Sequence, residues 1–464
     1  TSCSPEADAV SRALMDDLRA LVGEAGLGDA GDGRWARDAT ESQGLRGRPD
    51  AVVLPADTEE VRAVVAWCCA QDVAIVPRGG GSGFAGGAVP VHGGVVLALD
   101  RMTRVRSFDP LLWRIHVEAG LRTSELRRLA RESGLLFPPD PGAAEQSQIG
   151  GNIATNAGGP HAFKYGVTGR WVTGLEAVVP PGEVVEVGGP LRKDVAGYDL
   201  KSLLVGSEGT LGVITAAWLR LIPAPEAALP LIACYPDVRS GCAAIERVLG
   251  SGIQAAALEF LDAGALAAAG PAAPFDVAPG AFAVIAEADG SAAETAAVAA
   301  ALREALEPDA LALHAPTAPA EVAALWRWRD GVAIAVTAQR GGKMSEDVAV
   351  PLERLGEMVA ATLEIGARHG LEACSWGHAG DGNVHATFLL DARDAQQVAR
   401  ATEAAAELFA TAAAMGGTIS GEHGLGLVKS GHLGRQWNDA TLRLHRAVKQ
   451  AIDPQNLMNP GKKV

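Results

Sequence analysis

Between His378 and His385 the chain reads Ala379-Gly380-Asp381-Gly382-Asn383-Val384. Two glycines in a helix interior cost about 1 kcal/mol each, so the chain turns here rather than continuing as a helix. His378 and His385 then converge from a loop and the strand it enters. Downstream, Gly421-Glu422-His423-Gly424 supplies a carboxylate and a further imidazole. Neighbours on an extended backbone point to opposite sides, which lets Glu422 ligate a metal while His423 faces a substrate as a base. Imidazole and carboxylate together suit a divalent ion such as zinc or manganese. A lone histidine is ordinarily a packed or surface residue. Here three of ten fall in two glycine-rich segments beside Glu422, and glycine supplies close backbone approach rather than core volume.

The N-terminal half predicts an alternating α/β region. Residues 5–22 carry apolar side chains at helical spacing, 38–48 form a polar loop, and 51–55 a strand. A helix started by Asp57-Thr58-Glu59-Glu60, with acids in its first turn, runs through 61–70, then comes a strand over 73–77. The glycine run Arg78 to Gly87 comes next, able to present consecutive N–H groups to a diphosphate. It is neither a Walker loop nor a dinucleotide fingerprint leading into a helix. Strands over 95–99 and 114–120 and a capped helix over 123–133 lead to a second block, Ile149 to Gly159, rich in small and amide residues. A third block runs from Gly206 to Thr215.

Residues 223–228 read as a domain junction. Beyond them, strands over 229–234, 256–261 and 281–288 alternate with helices over 236–250 and 291–306, the second opened by a Ser291/Glu294 capping box. That order is ferredoxin-like or a similar α+β unit. Helices over 352–369 and 392–415 and a strand over 373–376 complete the reading.

A length of 464 residues predicts two or more domains, and 48% hydrophobic residues allow a substantial core. We expect segments 1–45, 46–224, 225–415 and 416–464, the third carrying the metal histidines and the fourth packing back on the second. A net charge of −15 disfavours nucleic acid or an anionic membrane as partner. Cys3, Cys68, Cys69, Cys234, Cys242 and Cys374 form neither a CxxC pair nor an iron–sulfur pattern. Reduced thiols, no apolar span of membrane length and no signal-peptide pattern predict a soluble, cytoplasmic protein.

Three glycine blocks, a His/His/Glu-His cluster and an Asn-Pro-Gly-Lys tail together resemble the FAD-linked oxidases and dehydrogenases of the vanillyl-alcohol oxidase type. The similar branch contains D-2-hydroxyglutarate dehydrogenase, D-lactate dehydrogenase and the glycolate oxidase flavin subunit. The resemblance runs from about residue 51 to 462. It implies an α+β fold: a PCMH-type FAD-binding domain of two α/β subdomains, a substrate domain with an antiparallel sheet, and a C-terminal helical segment. It also implies that Pro77, Arg78, Gly79, Gly80, Gly81, Ser82 and Gly83 form the diphosphate loop. Further flavin contacts would come from Ser147, Gly151, Asn152, Ala154, Thr155, Asn156, Gly158, Glu208, Gly212, Ile214 and Asn459. Residues 78–87 contain no His or Cys, so the resemblance implies non-covalent FAD. His92 and His161 read as ordinary residues.

By the same resemblance His378, His385 and Glu422 hold the metal, His423 takes the hydroxyl proton of a small 2-hydroxy acid, and flavin receives the α-hydrogen as hydride. Asn383 is expected on the substrate carboxylate, and Asp381 behind a ligand histidine. Arg329 and Lys343 are candidate carboxylate anchors. Ala333 stands where the hydroxyglutarate branch has a threonine, leaving lactate, glycolate or another acid open. An external electron acceptor, as an electron-transfer protein or quinone system, is implied, and a homodimer is a further expectation. Rival readings are a metallohydrolase with purely structural glycines, a flavin subunit without its own turnover, and a flavoenzyme acting on a non-acid substrate.

Overall fold

The computed structural model describes residues 5–40, 44–278 and 280–464; Cys3 lies outside them. Three larger sheets follow one another along the chain, and Leu135–Leu136 pairs with Ile222–Pro223 in a two-stranded one. In the first, Ala51–Val53 and Ile75–Arg78 flank Val95–Ala98 in parallel, and Leu27–Gly28 adds an antiparallel edge. Both faces of these strands are covered, which is why they read as continuous apolar runs. Ala51, Val53, Ile75, Val95 and Leu97 join one core, whereas Val52, Val76, Val96 and Ala98 join another. The helix Thr58–Ala70 begins where Asp57 accepts from the Glu60 amide.

The second sheet is antiparallel, in the order Val105–Asp109, Arg114–Glu118, Val213–Arg220, Val172–Val179, Glu183–Gly188. The block from Ile149, expected as ligand wall, contains the short helix Ile149–Thr155, which buries Ile149 and Ile153 in the same core as the first two sheets. The helix Thr123–Glu132 forms, but its N-cap is Arg122 and carries no side-chain cap bond, contrary to the expected capping.

The third sheet has seven antiparallel strands, in the order Ala312–His314, Ala227–Tyr235, Phe282–Gly290, Ala257–Leu261, Glu372–His378, Asn383–Leu390, Gly342–Ala349. The Ser291/Glu294 capping box opens Ala292–Leu306 as expected. One face packs on the helices Val238–Gly250, Ala292–Leu306, Leu355–Arg368 and Ala395–Ala414. Ala263–Ala269, Pro319–Asp330 and Val332–Arg340 cover part of the other face, with Leu261, Ile285, Trp328 and Trp376 in the shared core. What remains of that face opens onto the first two sheets. After the helix Asp439–Ile452 the tail returns to the first sheet, where the Ile75 amide donates to Leu457 O and the Asn459 amide to Ile75 O. Among the described residues no helix is long and apolar enough to cross a membrane, and Cys68, Cys69, Cys234, Cys242 and Cys374 are free.

Candidate functional site

Strand register builds the site. Residues directly opposite in neighbouring strands share a face, as do alternate residues along one strand. Glu259 stands opposite His378, Trp376 opposite His385, and His385 opposite Asp347. The same alternation puts Lys343 and Ser345 with Asp347, while Val348, Val384, Ala386 and Phe388 go to the core behind. A left-handed Gly382 closes the hairpin at φ 73°. His378 ends one strand and His385 lies three residues into the next, so the two converge across a hairpin.

Glu422 arrives from the loop after Ile419. Its Oε1 lies 3.2 Å from His378 Nε2 and 3.6 Å from His385 Nε2. One donor atom from each of these three residues falls within 4.8 Å of the others. His378 Nδ1–H donates to Glu259 Oε1 at 2.6 Å, which fixes the ring so that Nε2 faces the cluster. Glu259, and not the expected Asp381, therefore orients His378. Two imidazole nitrogens and a carboxylate oxygen converging this way are a donor set for a divalent cation.

Burial opposes protonation of His378, but Glu259 and Glu422 outweigh it and hold its pKa well above the usual value. Burial also opposes ionisation of Glu422, yet His378 facing it brings the carboxyl down to about 2. His385 is pushed down to about 3 by burial and by the neighbouring His423.

His423 stacks on His385 with ring centroids 5.3 Å apart, and Phe84 of the glycine run meets its ring at 4.7 Å. Its Nδ1 faces Asp347 Oδ1 at 3.4 Å. Asp347 is fully buried, pairs with Lys429, and accepts from the Glu422 and His423 amides at 2.5 and 3.1 Å. Glu259 and Asp347 were not singled out from the sequence. An acid inside an otherwise apolar strand, as Glu259 is in Ala257–Leu261, was the available signal.

A cavity of about 920 Å³ joins this cluster to the glycine blocks. Pro77, Arg78, Gly79, Gly80, Gly81, Ser82, Gly83, Ser147, Gly151, Asn152, Ala154, Thr155, Gly158, Glu208, Gly212 and Ile214 all line it, as do Arg329, Lys343, His378, His385, Glu422 and His423. Asn156, Asn383 and Asn459 do not. Asn156 accepts from the Gly169 amide, and Asn459 donates to Gly87 O and Glu208 O. Asn383 Nδ2 is given to Val348 O. Arg78 turns its guanidinium to Arg37 O and Ala88 O, bracing the loop. At Gly80 an added Cβ would strike Gln146 O, and at Gly158 it would lie 2.7 Å from Glu422 Oε2, whereas at Gly83 it would meet nothing within 4 Å. The wall is thus a backbone cradle open to one side, a fit for a bulky phosphorylated cofactor.

Two candidate anchors differ from expectation in their partners. Arg329 is buried and paired with Glu259. Lys343 donates to Ala333 O at 3.1 Å and lies 5.0 Å from the Trp376 ring centroid; burial lowers it to about 8. His161, read as ordinary, stands on the cavity wall between Asp140 and Glu287 at 2.5 and 2.7 Å, with Trp326 donating to the same Glu287.

Comparison with known proteins agrees with this geometry. Residues 49–188 match the FAD binding domain family and residues 224–463 the C-terminal domain of FAD linked oxidases. Over 457 residues the chain is 35% identical to the glycolate oxidase subunit GlcD of Bacillus subtilis (strain 168), covering 98% of this chain and 97% of the relative. It is 37% identical over 424 residues to the D-2-hydroxyglutarate dehydrogenase of Xanthomonas citri pv. viticola, covering 89% of each. The solved structure of p-cresol methylhydroxylase with substrate bound superposes with a TM-score of 0.80 at 17% identity, over 97% of this chain and 96% of that one. At that identity the likeness speaks for the fold.

Proposed function

The chain belongs to the FAD-linked oxidases, and from that premise we propose that it oxidises a small D-2-hydroxy acid to the 2-oxo acid. The observation that carries the reading is the placement of His378, His385, Glu422 and His423 on the wall that the three glycine blocks also line. A hydrolase with merely structural glycines gives no reason for those blocks to share its cavity.

FAD, when bound, supplies the acceptor for the α-hydrogen as hydride. A zinc or manganese ion held by His378, His385 and Glu422 would supply positive charge beside the substrate hydroxyl and lower its pKa. The chain's own residues do the rest. His423 is the base: Asp347 faces Nδ1 at 3.4 Å, which leaves Nε2 to take the hydroxyl proton. Phe84 and His385 restrict its ring from two sides. Glu259 fixes the tautomer of His378. Lys343 donates to Ala333 O and lies over the Trp376 ring, and it anchors a substrate carboxylate. Glu259 already holds Arg329, which makes Lys343 the more available of the two anchors.

D stereochemistry follows the D-2-hydroxyglutarate relative, and glycolate, lactate and 2-hydroxyglutarate are the acids to try first. Electrons leave to an external acceptor. The test is turnover of the FAD-loaded protein with a dye acceptor, counting 2-oxo acid formed per dye reduced. A one-to-one yield with a D-acid supports the reading; no product from any hydroxy acid refutes it.

A further inference from the structure

The loop that carries Glu422 and His423 is held at two places by two buried carboxylates from opposite sides of the cavity. On the substrate-sheet side Asp347 accepts the amides of Glu422 and His423. On the other side Glu208 accepts the amides of Leu425 and Gly426, at 3.0 and 2.7 Å. Glu208 belongs to the third glycine block, and its carboxylate is used here on protein groups, with Lys463 Nζ as a further donor at 3.0 Å.

Glu208 is itself firmly placed. It is buried and left-handed at φ 55°, a conformation that a non-glycine residue keeps only when its surroundings impose it. Its amide donates to Ala154 O at 2.7 Å, and its carbonyl accepts from Asn459 Nδ2 at 2.8 Å. Ala154 lines the cavity. The fit against the loop is close: a Cβ at Gly424 would lie 3.1 Å from the Glu208 carboxylate, and Gly424 adopts φ 85°. The next turn continues onto the first glycine block, with the Leu427 amide on Ala85 O at 2.8 Å.

We propose that Glu208 is a positioning residue that registers the Glu422–His423 loop against the flavin-binding wall. Resting on the function proposed above, this makes the rate of substrate oxidation depend on the Glu208 carboxylate, while substrate affinity and flavin retention do not. The reason is geometric. Asp347 ties the base to the substrate sheet; Glu208 fixes the same loop relative to the wall that seats the hydride acceptor, and a misplacement of about 1 Å costs about 10²-fold in rate.

The experiment compares FAD-saturated wild type, Glu208→Ala and Glu208→Gln. Each is measured for flavin content, for anaerobic flavin reduction across acid concentrations, and for amide hydrogen exchange at Leu425 and Gly426. For Glu208→Ala we expect bound FAD, a limiting reduction rate down about 10²-fold, little change in the acid concentration giving half that rate, and faster exchange at both amides. Glu208→Gln keeps one acceptor oxygen and should fall between; it decides the matter where the alanine variant does not fold. A flavin-loaded variant that reduces at the wild-type rate overturns the proposal, and so does unchanged exchange at Leu425 and Gly426. A variant whose only defect is weakened FAD binding, cured by excess FAD, overturns it as well. If no hydroxy acid reduces even the wild type, the function proposed above is what fails, and the exchange comparison still decides whether Glu208 holds the loop.

Discussion

His423 sits against His385 at the edge of the His378/His385/Glu422 cluster, and its neighbours explain how it is held there. Glycines around Glu422-His423 made the pair legible in the sequence. The carboxylates that orient the histidines were not, because they come from far along the chain: Glu259 is 119 positions from His378, and Asp347 is 76 from His423. Only strand register brings them together. Replacing His423 with Ala should leave the flavin spectrum intact and slow anaerobic flavin reduction by about 10²- to 10⁴-fold, the usual share of general base catalysis; stopped-flow absorbance at the flavin band checks it. Lys343 gives a pH prediction. Burial lowers its pKa to about 8, so it is cationic below that pH and neutral above it. An anionic substrate should therefore bind progressively less well as pH rises through about 8, seen as a rising KM. Lys343→Met should have a high KM throughout and lose that alkaline rise.

At the level of elements, the hairpin Glu372–His378 to Asn383–Leu390 does what the Gly-Asp-Gly-Asn interval required. Gly382 is left-handed, and a Cβ there would run into Val350 O. Gly382→Ala should cost more than about 1 kcal/mol of stability, measured as a fall in the unfolding midpoint, with a lower metal content at equal protein concentration. The first and third glycine blocks were readable as cavity wall because their conformations suit little else. The middle block was half legible: its small residues do line the cavity, but Ile149 and Ile153 turn it into a helix that also serves the core. Asn156, Asn383 and Asn459 have side-chain types that suit ligand contact, yet each is given to backbone, because a buried chain reversal has amides and carbonyls of its own to satisfy.

Across the whole molecule, the cavity unites segments that the sequence separates by hundreds of residues, with the first two sheets contributing to one side and the third sheet to the other. Individual strands were legible from apolar runs and alternation, but Val105–Asp109, Val172–Val179, Glu183–Gly188 and Gly342–Ala349 were not read; the antiparallel substrate sheet and the shared cavity were carried by the resemblance of the motifs in order. If His378, His385 and Glu422 hold a cation as proposed, removal by a chelator should abolish substrate oxidation while the flavin stays bound, and zinc or manganese should restore it. His385→Ala should lower metal content and turnover together; metal loss with full turnover would make the ion structural.

The most direct test of the central claim is an anaerobic visible spectrum of the FAD-loaded protein before and after paired D- and L-2-hydroxy acids, with glycolate as the achiral member. The account predicts that a D-acid bleaches the flavin band with stoichiometric 2-oxo acid formation, and that its L-partner does not. A flavin band that no 2-hydroxy acid bleaches would contradict it.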